Sequence, residues 1–354
     1  MTSKMLEEIR QQPAALDRTL RGELRKFEKL KKTFDAERPR LIILAARGTS
    51  DNAAQFARYL LEITTGIPVS LCAPSVFTLY KSPVDLHGTL VVAISQSGES
   101  TDTNVVLETA RAAGARTAGI TNEAESSMAR LAEHVFLVRA GREKSVAATK
   151  TYTGQMMALY LLAWSLGGGI SLDELRRIPE WTEAALKLHP RIAEAAVRYR
   201  FMDHAVVVGR GLNYSNAFEF ALKMMETCYV VAERFSSADL AHGPIAMVEH
   251  GFPAFLFTPA GVTWPGVKTM VERLQALRAE MLLITDASNA EACAMESRSI
   301  VLPVKLARKS VAPQELYTPI PYIVPAQMFA ACLAEEKGLD PDRPRTLTKV
   351  TQTL

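Results

Sequence analysis

Short, mostly apolar runs alternate with longer amphipathic stretches along most of this chain. Runs rich in Val, Ile and Leu are typical of strands that are buried on both faces of a sheet. They predict strands over 41–46, 69–72, 90–94, 116–120, 135–138 and 205–208. Stretches with helical spacing of apolar residues lie between and before them, such as Leu16 to Leu30. The alternation predicts the α/β class, with doubly wound parallel sheets flanked by helices.

The second half of the chain repeats features of the first. Arg210-Gly211 follows a predicted strand as Arg47-Gly48 does, and 284–286 resembles 120–122. The segment 299–303 likewise resembles 134–138. All three pairs are separated by roughly 164 residues, and a near-constant separation indicates a repeated fold. We therefore expect two tandem domains of the same architecture.

The same patterns predict the domain limits. A helical segment, 1–39, precedes the first domain, 40–170, and a charged helical connection covers 171–200. The second domain covers 201–338, and a Pro-rich tail covers 339–354. Within the first domain, a long helix is predicted over Val146 to Leu166, behind an Ala-Ala-Thr-Lys-Thr turn, and three glycines end it.

A cluster of hydroxyl side chains follows the most apolar strand. Leu90–Ile94 leads into Ser-Gln-Ser-Gly-Glu-Ser at 95–100, and helical composition begins at Asn104. Free N–H groups at a helix N-terminus, with serine hydroxyls beside them, favour a bound phosphate. Thr49 and Ser50 follow another strand, and the carboxyl ends of parallel strands meet at one edge. Helix capping is the alternative interpretation, and it is equally good for Thr49-Ser50 alone.

The corresponding turn of the second domain, 257–261, lacks the hydroxyl cluster. We therefore expect one phosphate site per chain.

The helical stretch 218–227 carries three charged residues on one face. Glu219, Lys223 and Glu226 are spaced i, i+4 and i+7, and most of their neighbours are apolar. An enclosed carboxylate beside a lysine suits proton transfer next to a carbonyl group. A solvated, salt-bridged stripe is an equally good interpretation of the spacing.

Two further segments are ambiguous from the residues alone. His242 lies in a loop that reads His-Gly-Pro, and loops often carry catalytic side chains, although a lone loop histidine is more often incidental. The tail that contains Lys349 reads as a frayed terminus.

Composition excludes several classes of function. The net charge is +3, with both signs mixed along the chain, which is too little for a nucleic-acid or membrane-surface footprint. No apolar run is long enough to span a bilayer. Scattered cysteines and histidines predict reduced thiols, a cytoplasmic location and no metal site.

These motifs together resemble the sugar isomerase (SIS) family, especially its branch of glucosamine-6-phosphate synthase isomerase halves and stand-alone glucosamine-6-phosphate deaminases. The resemblance covers about residues 40–354. The matching segments are 48–50, 95–100, 146–150, 221–226, 242–244 and 344–349. It implies two SIS domains, no cofactor, and a cytoplasmic homodimer whose subunits share active sites.

The resemblance also implies site residues. The phosphate-binding positions are Thr49, Ser50, Ser95, Gln96, Ser97 and Ser100, with Val146 as a further substrate-binding position. Glu226 is the implied proton carrier with Lys223 beside it, and Lys349 is linked to the carbonyl chemistry. His242 is the implied ring-opening residue, contributed by the neighbouring subunit.

Departures from the family pattern bear on the reaction. The sequence runs from Met1 into a helical segment without an N-terminal cysteine nucleophile, so we expect no glutaminase domain. Arg47 replaces a cysteine, and Met225 and Ala241 replace lysines. We expect hydrolytic conversion of glucosamine 6-phosphate to fructose 6-phosphate and ammonia.

The alternatives are fructosamine-6-phosphate deglycation, galactosamine-6-phosphate deamination, synthase-like aminotransfer, and a non-catalytic sugar-phosphate sensor. The sensor is the least favoured, because it has no use for Glu226 and His242 together.

Overall fold

The computed structural model describes residues 3–347. The strands are β1 Leu41–Ala45, β2 Val69–Leu71, β3 Thr89–Ser95, β4 Arg116–Thr121, β5 His134–Leu137, β6 His204–Gly209, β7 Val231–Ser236, β8 Pro253–Phe257, β9 Glu280–Asp286 and β10 Arg298–Leu302. The helices are α1 Lys4–Arg10, α2 Gln12–Ala36, α3 Thr49–Thr65, α4 Ser75–Thr78, α5 Thr101–Ala112, α6 Ser127–Leu131, α7 Lys150–Ser165, α8 Leu172–Leu186, α9 His189–Arg198, α10 Tyr214–Lys223, α11 Ser237–Ala241, α12 Trp264–Ala276, α13 Ala290–Ala294 and α14 Pro319–Glu336. Short 3-10 turns lie over Gly211–Asn213 and Pro244–Met247, and a π-helical turn lies over Met224–Cys228.

Two parallel sheets of five strands confirm the predicted fold class. The first has the order β2-β1-β3-β4-β5, and the second has the order β7-β6-β8-β9-β10. Both orders reverse direction at one point, between β1 and β3 and between β6 and β8. Ligands of doubly wound sheets bind beyond the carboxyl ends of the strands at such a switch point.

The described residues divide into two compact units. Residues 14–144, 150–176 and 346–347 form the β1–β5 unit. Residues 3–13, 145–149 and 177–345 form the β6–β10 unit. Each unit therefore contains one complete sheet with its flanking helices.

The core of each unit forms on both faces of its sheet, because central strands such as β3 and β8 are apolar and buried on both faces. In the β1–β5 unit, Ile43 and Val91 pack with Val106 of α5, and Phe27 of α2 stacks on Phe136 with ring centroids 3.8 Å apart.

In the β6–β10 unit, an aromatic cluster joins α10 to the sheet and to α14. Phe220 contacts Phe255 and Phe329 edge to face, with centroids 5.2 and 5.8 Å apart. This packing fixes the helix that leads into the Met224–Cys228 turn.

The predicted start of the helix at Val146 is wrong, because α7 begins at Lys150. The Glu143 carboxylate accepts hydrogen bonds from the backbone N–H and the hydroxyl of Thr151, at 3.2 and 2.6 Å. It thus acts as a capping group from outside the helix, which an apolar Val-Ala-Ala sequence does not reveal.

Neither membrane-spanning helices nor metal-binding clusters occur in the part of the chain that the structure describes. Over residues 3–347, no helix is both long and apolar enough to cross a bilayer. The same residues contain no group of three or more His, Cys, Asp or Glu side chains arranged to hold a metal ion.

Candidate functional site

The two hydroxyl-bearing turns flank the switch point of the first sheet. β1 and β3 are paired in parallel, with Ala45 opposite Ala93, so their carboxyl ends lie side by side. Thr49 and Ser50 open α3 directly after β1. Gly48 caps this helix with φ of +57°, a conformation that L side chains rarely adopt. The glycine is therefore needed to turn the chain from the strand into the helix.

The Ser95–Ser100 turn carries the remaining predicted phosphate-binding residues. Ser95 is buried and its Oγ accepts the Gly98 N–H at 3.1 Å, while Ser97 Oγ accepts the Glu99 N–H at 3.3 Å. Because each hydroxyl accepts from the turn itself, its proton remains available to donate to a ligand. Gln96, Ser97 and Ser100 are half-buried at the same edge of the sheet.

The turn is braced by contacts with the start of α6. Gly98 has φ of +65°, and a side chain there would overlap Ser126. The Glu99 carboxylate accepts hydrogen bonds from the Ser127 N–H and hydroxyl at 2.9 and 2.8 Å, and these bonds lower the pKa of Glu99. Glu99 is thus occupied as a structural acceptor for the start of α6.

Arg47 bridges the two turns. Its Nε and Nη2 donate to Asp102 Oδ2 at 3.0 and 2.6 Å, and Asp102 lies in the first turn of α5. Half of the Arg47 side chain is exposed, whereas that of Asp102 is buried. The arginine that departs from the family pattern therefore ties the β1 turn to the helix that follows β3.

The switch point of the second sheet is filled by the protein itself. After β8, the N–H groups of Val262 and Thr263 donate to the two carboxylate oxygens of Glu315, both at 3.2 Å. Glu315 is 1% exposed, and a side chain on Gly261 would overlap its carboxylate. A carboxylate of the chain thus occupies the place before α12 where an external anion would otherwise bind.

The three charged residues of α10 and the following turn form one buried cluster. Lys223 Nζ lies 2.6 Å from Glu226 Oε2 and 3.4 Å from Glu219 Oε1. The side chains of Lys223 and Glu219 are fully buried, whereas that of Glu226 is 22% exposed. The solvated-stripe interpretation is therefore wrong, and Glu226 is the member of the cluster that a ligand can reach.

Glu226 lies in a π-helical turn rather than in a regular helix. The α10 helix changes to i+5 hydrogen bonding over Met224–Cys228, and Tyr229 ends the turn with φ of +55°. Such π-bulges are uncommon and are frequently found at functional sites. The bulge places Glu226 beside Lys223 while Thr227 and Cys228 remain buried.

The other predicted site residues lie in loops. His242 is exposed and follows the last residue of α11, and Gly243 after it has φ of +140°. Val146 is half-buried in the segment before α7. Lys349 lies outside the described residues, so its role stays a prediction.

The tail is anchored next to the π-helical turn. The Arg345 N–H donates to the Tyr229 hydroxyl at 2.9 Å, and the guanidinium lies 4.4 Å from the centre of the Tyr229 ring. At least to Arg345, the tail is held in place rather than frayed. The sequence did not single out Tyr229 or Glu315, because each acts through a partner more than fifty residues away along the chain.

Comparison with known proteins identifies the family. The SIS domain family model matches residues 37–165 and 200–329. The glutamine–fructose-6-phosphate aminotransferase (isomerizing) of Pyrococcus horikoshii is 34% identical over 354 residues. That alignment covers 98% of this chain but 57% of the relative. The chain thus spans about half the length of the curated relatives that it matches.

Solved structures agree with the sequence comparison. The C-terminal domain of glucosamine-fructose-6-phosphate aminotransferase from Francisella tularensis superposes with a TM-score of 0.86 at 28% identity, covering 97% of this chain and 99% of that one. A glucosamine-6-phosphate deaminase from Thermotoga maritima shares the fold, with a TM-score of 0.75 at 22% identity, covering 99% and 100% of the two chains. The two predicted domains, the two sheets and the family match lead to one conclusion: this chain belongs to the SIS domain family, which includes sugar-phosphate isomerases.

Proposed function

We propose that this protein converts glucosamine 6-phosphate into fructose 6-phosphate and ammonia. The observation that carries the proposal is the Lys223–Glu226 pair, a buried ammonium 2.6 Å from a carboxylate that remains partly accessible. A carboxylate held in this way can accept a proton from a carbon next to a carbonyl group and return it to the neighbouring carbon. The names of the relatives supply the substrate class, a hexose 6-phosphate with an amine at C2.

The phosphate group is assigned to the β1–β5 unit. Thr49 and Ser50 begin α3, and Ser95, Ser97 and Ser100 lie beyond β3 at the adjacent strand end. Backbone N–H groups at the starts of α3 and α5, together with these hydroxyls, suit a dianion. Binding energy from the phosphate, which does not react, can then hold C1 and C2 of the sugar in position for reaction.

The chemistry is assigned to the β6–β10 unit and the tail. His242 protonates the ring oxygen as the C1 hydroxyl loses its proton, so that the ring opens to the aldehyde. Glu226 then removes the C2 proton while the carbonyl oxygen at C1 takes up a proton from solvent, which gives an enolamine, and Glu226 delivers its proton to C1. Water adds to the resulting C2 imine, and its collapse releases ammonia and fructose 6-phosphate. Lys223 donates a hydrogen bond to Glu226 Oε2 and so holds the carboxylate in place, and Lys349 is assigned to the carbonyl end of the sugar.

The direction of the reaction follows from the state of ammonia in water. At neutral pH ammonia is mostly protonated, and the ammonium ion is a poor nucleophile. Amine release needs only water besides the sugar phosphate, and dilution of the product ammonia favours it. The same residues serve the reverse direction by microscopic reversibility.

Two parallel reactions test the proposal. One supplies glucosamine 6-phosphate, and the other supplies fructose 6-phosphate with glutamine. We expect ammonia and fructose 6-phosphate in the first and no glucosamine 6-phosphate in the second. Glucosamine 6-phosphate in the second reaction would establish synthase activity instead. No product in either would favour the fructosamine-6-phosphate or galactosamine-6-phosphate alternatives, or the sensor.

Replacing Ser97 with alanine tests the phosphate assignment. A hydroxyl that donates to a dianion contributes about 1.5–3 kcal/mol, so we expect the KM for the sugar phosphate to rise by roughly tenfold or more. Ser165→Ala is a matched control, because this buried serine donates to Leu162 at the end of α7. Steady-state kinetics with both variants give the answer, and an unchanged KM for Ser97→Ala would place the phosphate elsewhere.

We further propose a homodimer in which His242 acts in the site of the neighbouring subunit. The exposure of His242 at the end of α11 is compatible with a role in a second chain. Mixing inactive Glu226→Gln chains with inactive His242→Asn chains should restore part of the activity, because each heterodimer then holds one intact site. Mass spectrometry checks that heterodimers form. Heterodimers without activity would show that both residues serve the same chain.

A further inference from the structure

Helix α7 contains a buried glutamine that the proposed mechanism does not use. Gln155 is 1% exposed, and the helix continues from Met156 to Ala163 with apolar and aromatic residues that are all buried. Burying an amide in such surroundings is unfavourable unless its hydrogen bonds are satisfied. Among the described residues Gln155 Oε1 has no hydrogen-bond partner, so the single hydrogen bond of Nε2 is the contact that indicates why a polar residue stands there.

That hydrogen bond goes to a predicted phosphate-binding residue. Gln155 Nε2 donates to Ser50 Oγ at 2.9 Å, and Ser50 is the second residue of α3. Further along the same two helices, Phe56 and Tyr160 pack edge to face with ring centroids 5.0 Å apart. This packing fixes α3 against α7, so the amide and the hydroxyl are held at a constant separation.

The direction of the bond determines what Ser50 can do. A serine hydroxyl has one proton to donate and two lone pairs that accept. When Oγ accepts from Gln155, its proton must point elsewhere, and residues 3–347 provide no acceptor for it. Ser50 lies at the β1/β3 switch point, where the anion is expected.

We propose that Gln155 is a positioning residue for the phosphate site: its amide occupies one lone pair of Ser50 and so directs the Ser50 proton toward the phosphate. The inference rests on the proposed phosphate-binding function. Gln155 does not touch the ligand itself. Its effect reaches the ligand through Ser50 alone, and this dependence makes the proposal testable.

Two substitutions at Gln155 change the hydroxyl in different ways. Gln155→Met keeps the size of the side chain and removes the donor. Gln155→Glu places a carboxylate against Ser50 Oγ. The carboxylate then accepts the hydrogen bond of the Ser50 hydroxyl, and its charge repels a dianion. Gln12→Met is the matched control, because Gln12 is also fully buried and donates to another glutamine, Gln327, at 2.9 Å.

Calorimetric titration with glucose 6-phosphate and with inorganic phosphate measures the effect. We expect Gln155→Met to raise the Kd for both ligands by about fivefold to twentyfold, and Gln155→Glu to raise it further. The KM for glucosamine 6-phosphate should rise in parallel, with kcat within about twofold. Gln12→Met should lower the melting temperature without changing either Kd. A loss of packing alone would give Gln155→Met the same pattern as Gln12→Met, and that result would overturn the inference.

A double-mutant cycle with Ser50→Ala isolates the coupling. Once the hydroxyl is absent, Gln155→Met should change the Kd by less than about twofold. If Gln155→Met and Ser50→Ala instead change the Kd independently, so that their fold-changes multiply in the double variant, the inference is wrong. This test does not depend on whether Gln155→Glu folds. Ser97→Ala distinguishes an error in the phosphate site from an error in the role of Gln155. If it weakens binding while Gln155→Met does not, the phosphate site stands and only the role of Gln155 is wrong.

Discussion

Glu226→Gln should lower the rate of glucosamine 6-phosphate turnover by about 10²–10⁴-fold, the usual loss when a general base is removed. Glutamine keeps the size of the side chain and can still accept a hydrogen bond from Lys223, 2.6 Å away in the native protein. The variant should therefore bind the sugar phosphate with nearly the native Kd. In deuterated water, it should fail to exchange the proton at C2 of the sugar.

Glu272→Gln is the matched control, because Glu272 is an exposed residue of α12 that has no place in the proposed site. Its turnover and exchange rates should equal those of the native protein. Proton exchange at the native rate in Glu226→Gln would show that another group moves the proton. A large rise in Kd without a fall in kcat would make Glu226 a binding residue instead.

Glu315→Ala should lower the free energy of unfolding of the β6–β10 unit by about 2–4 kcal/mol. The substitution leaves two backbone N–H groups, those of Val262 and Thr263, without the carboxylate that accepts from them. Both hydrogen bonds are partly buried, so each unsatisfied donor costs toward the lower end of about 1–3 kcal/mol. It also removes a negative charge from the N-terminus of α12, where such a charge is favourable. Urea unfolding monitored by tryptophan fluorescence measures the loss, because Trp264 opens that helix.

Two further variants make the Glu315 prediction specific. Glu315→Gln retains one acceptor oxygen, so its free energy of unfolding should fall by less than that of Glu315→Ala. Glu296→Ala, at an exposed glutamate, should leave the free energy of unfolding almost unchanged. Equal losses in Glu315→Gln and Glu315→Ala would show that the charge, rather than the hydrogen bonds, carries the stability. Native stability in Glu315→Ala would contradict the account of the second switch point.

The strands were predictable because parallel sheets need strands that are apolar on both faces. Apolar runs at 41–46 and 90–94 therefore correspond closely to β1 and β3. The start of α7 was not predictable from Val-Ala-Ala, because a carboxylate from Glu143 determines it. Helix ends depend on capping partners, and those partners are often distant in the sequence.

In the candidate site, too, local sequence patterns were predictable and contacts between distant residues were not. The hydroxyl turn at 95–100 and the spacing of Glu219, Lys223 and Glu226 are local patterns, so composition and helical periodicity revealed them. Gln155 and Glu315 act only after the chain folds, since each contacts a loop or helix start that is more than fifty residues away. Spacing along the chain contains no signal for either residue.

The most direct measurement is the fate of glucosamine 6-phosphate in deuterated water, followed by NMR together with an ammonia assay. We expect equal amounts of ammonia and fructose 6-phosphate, with deuterium from the solvent at C1 of the fructose 6-phosphate. That labelling arises if a side chain that exchanges with solvent carries the proton from C2 to C1. Unchanged glucosamine 6-phosphate, or ammonia released without formation of fructose 6-phosphate, would contradict the proposed reaction.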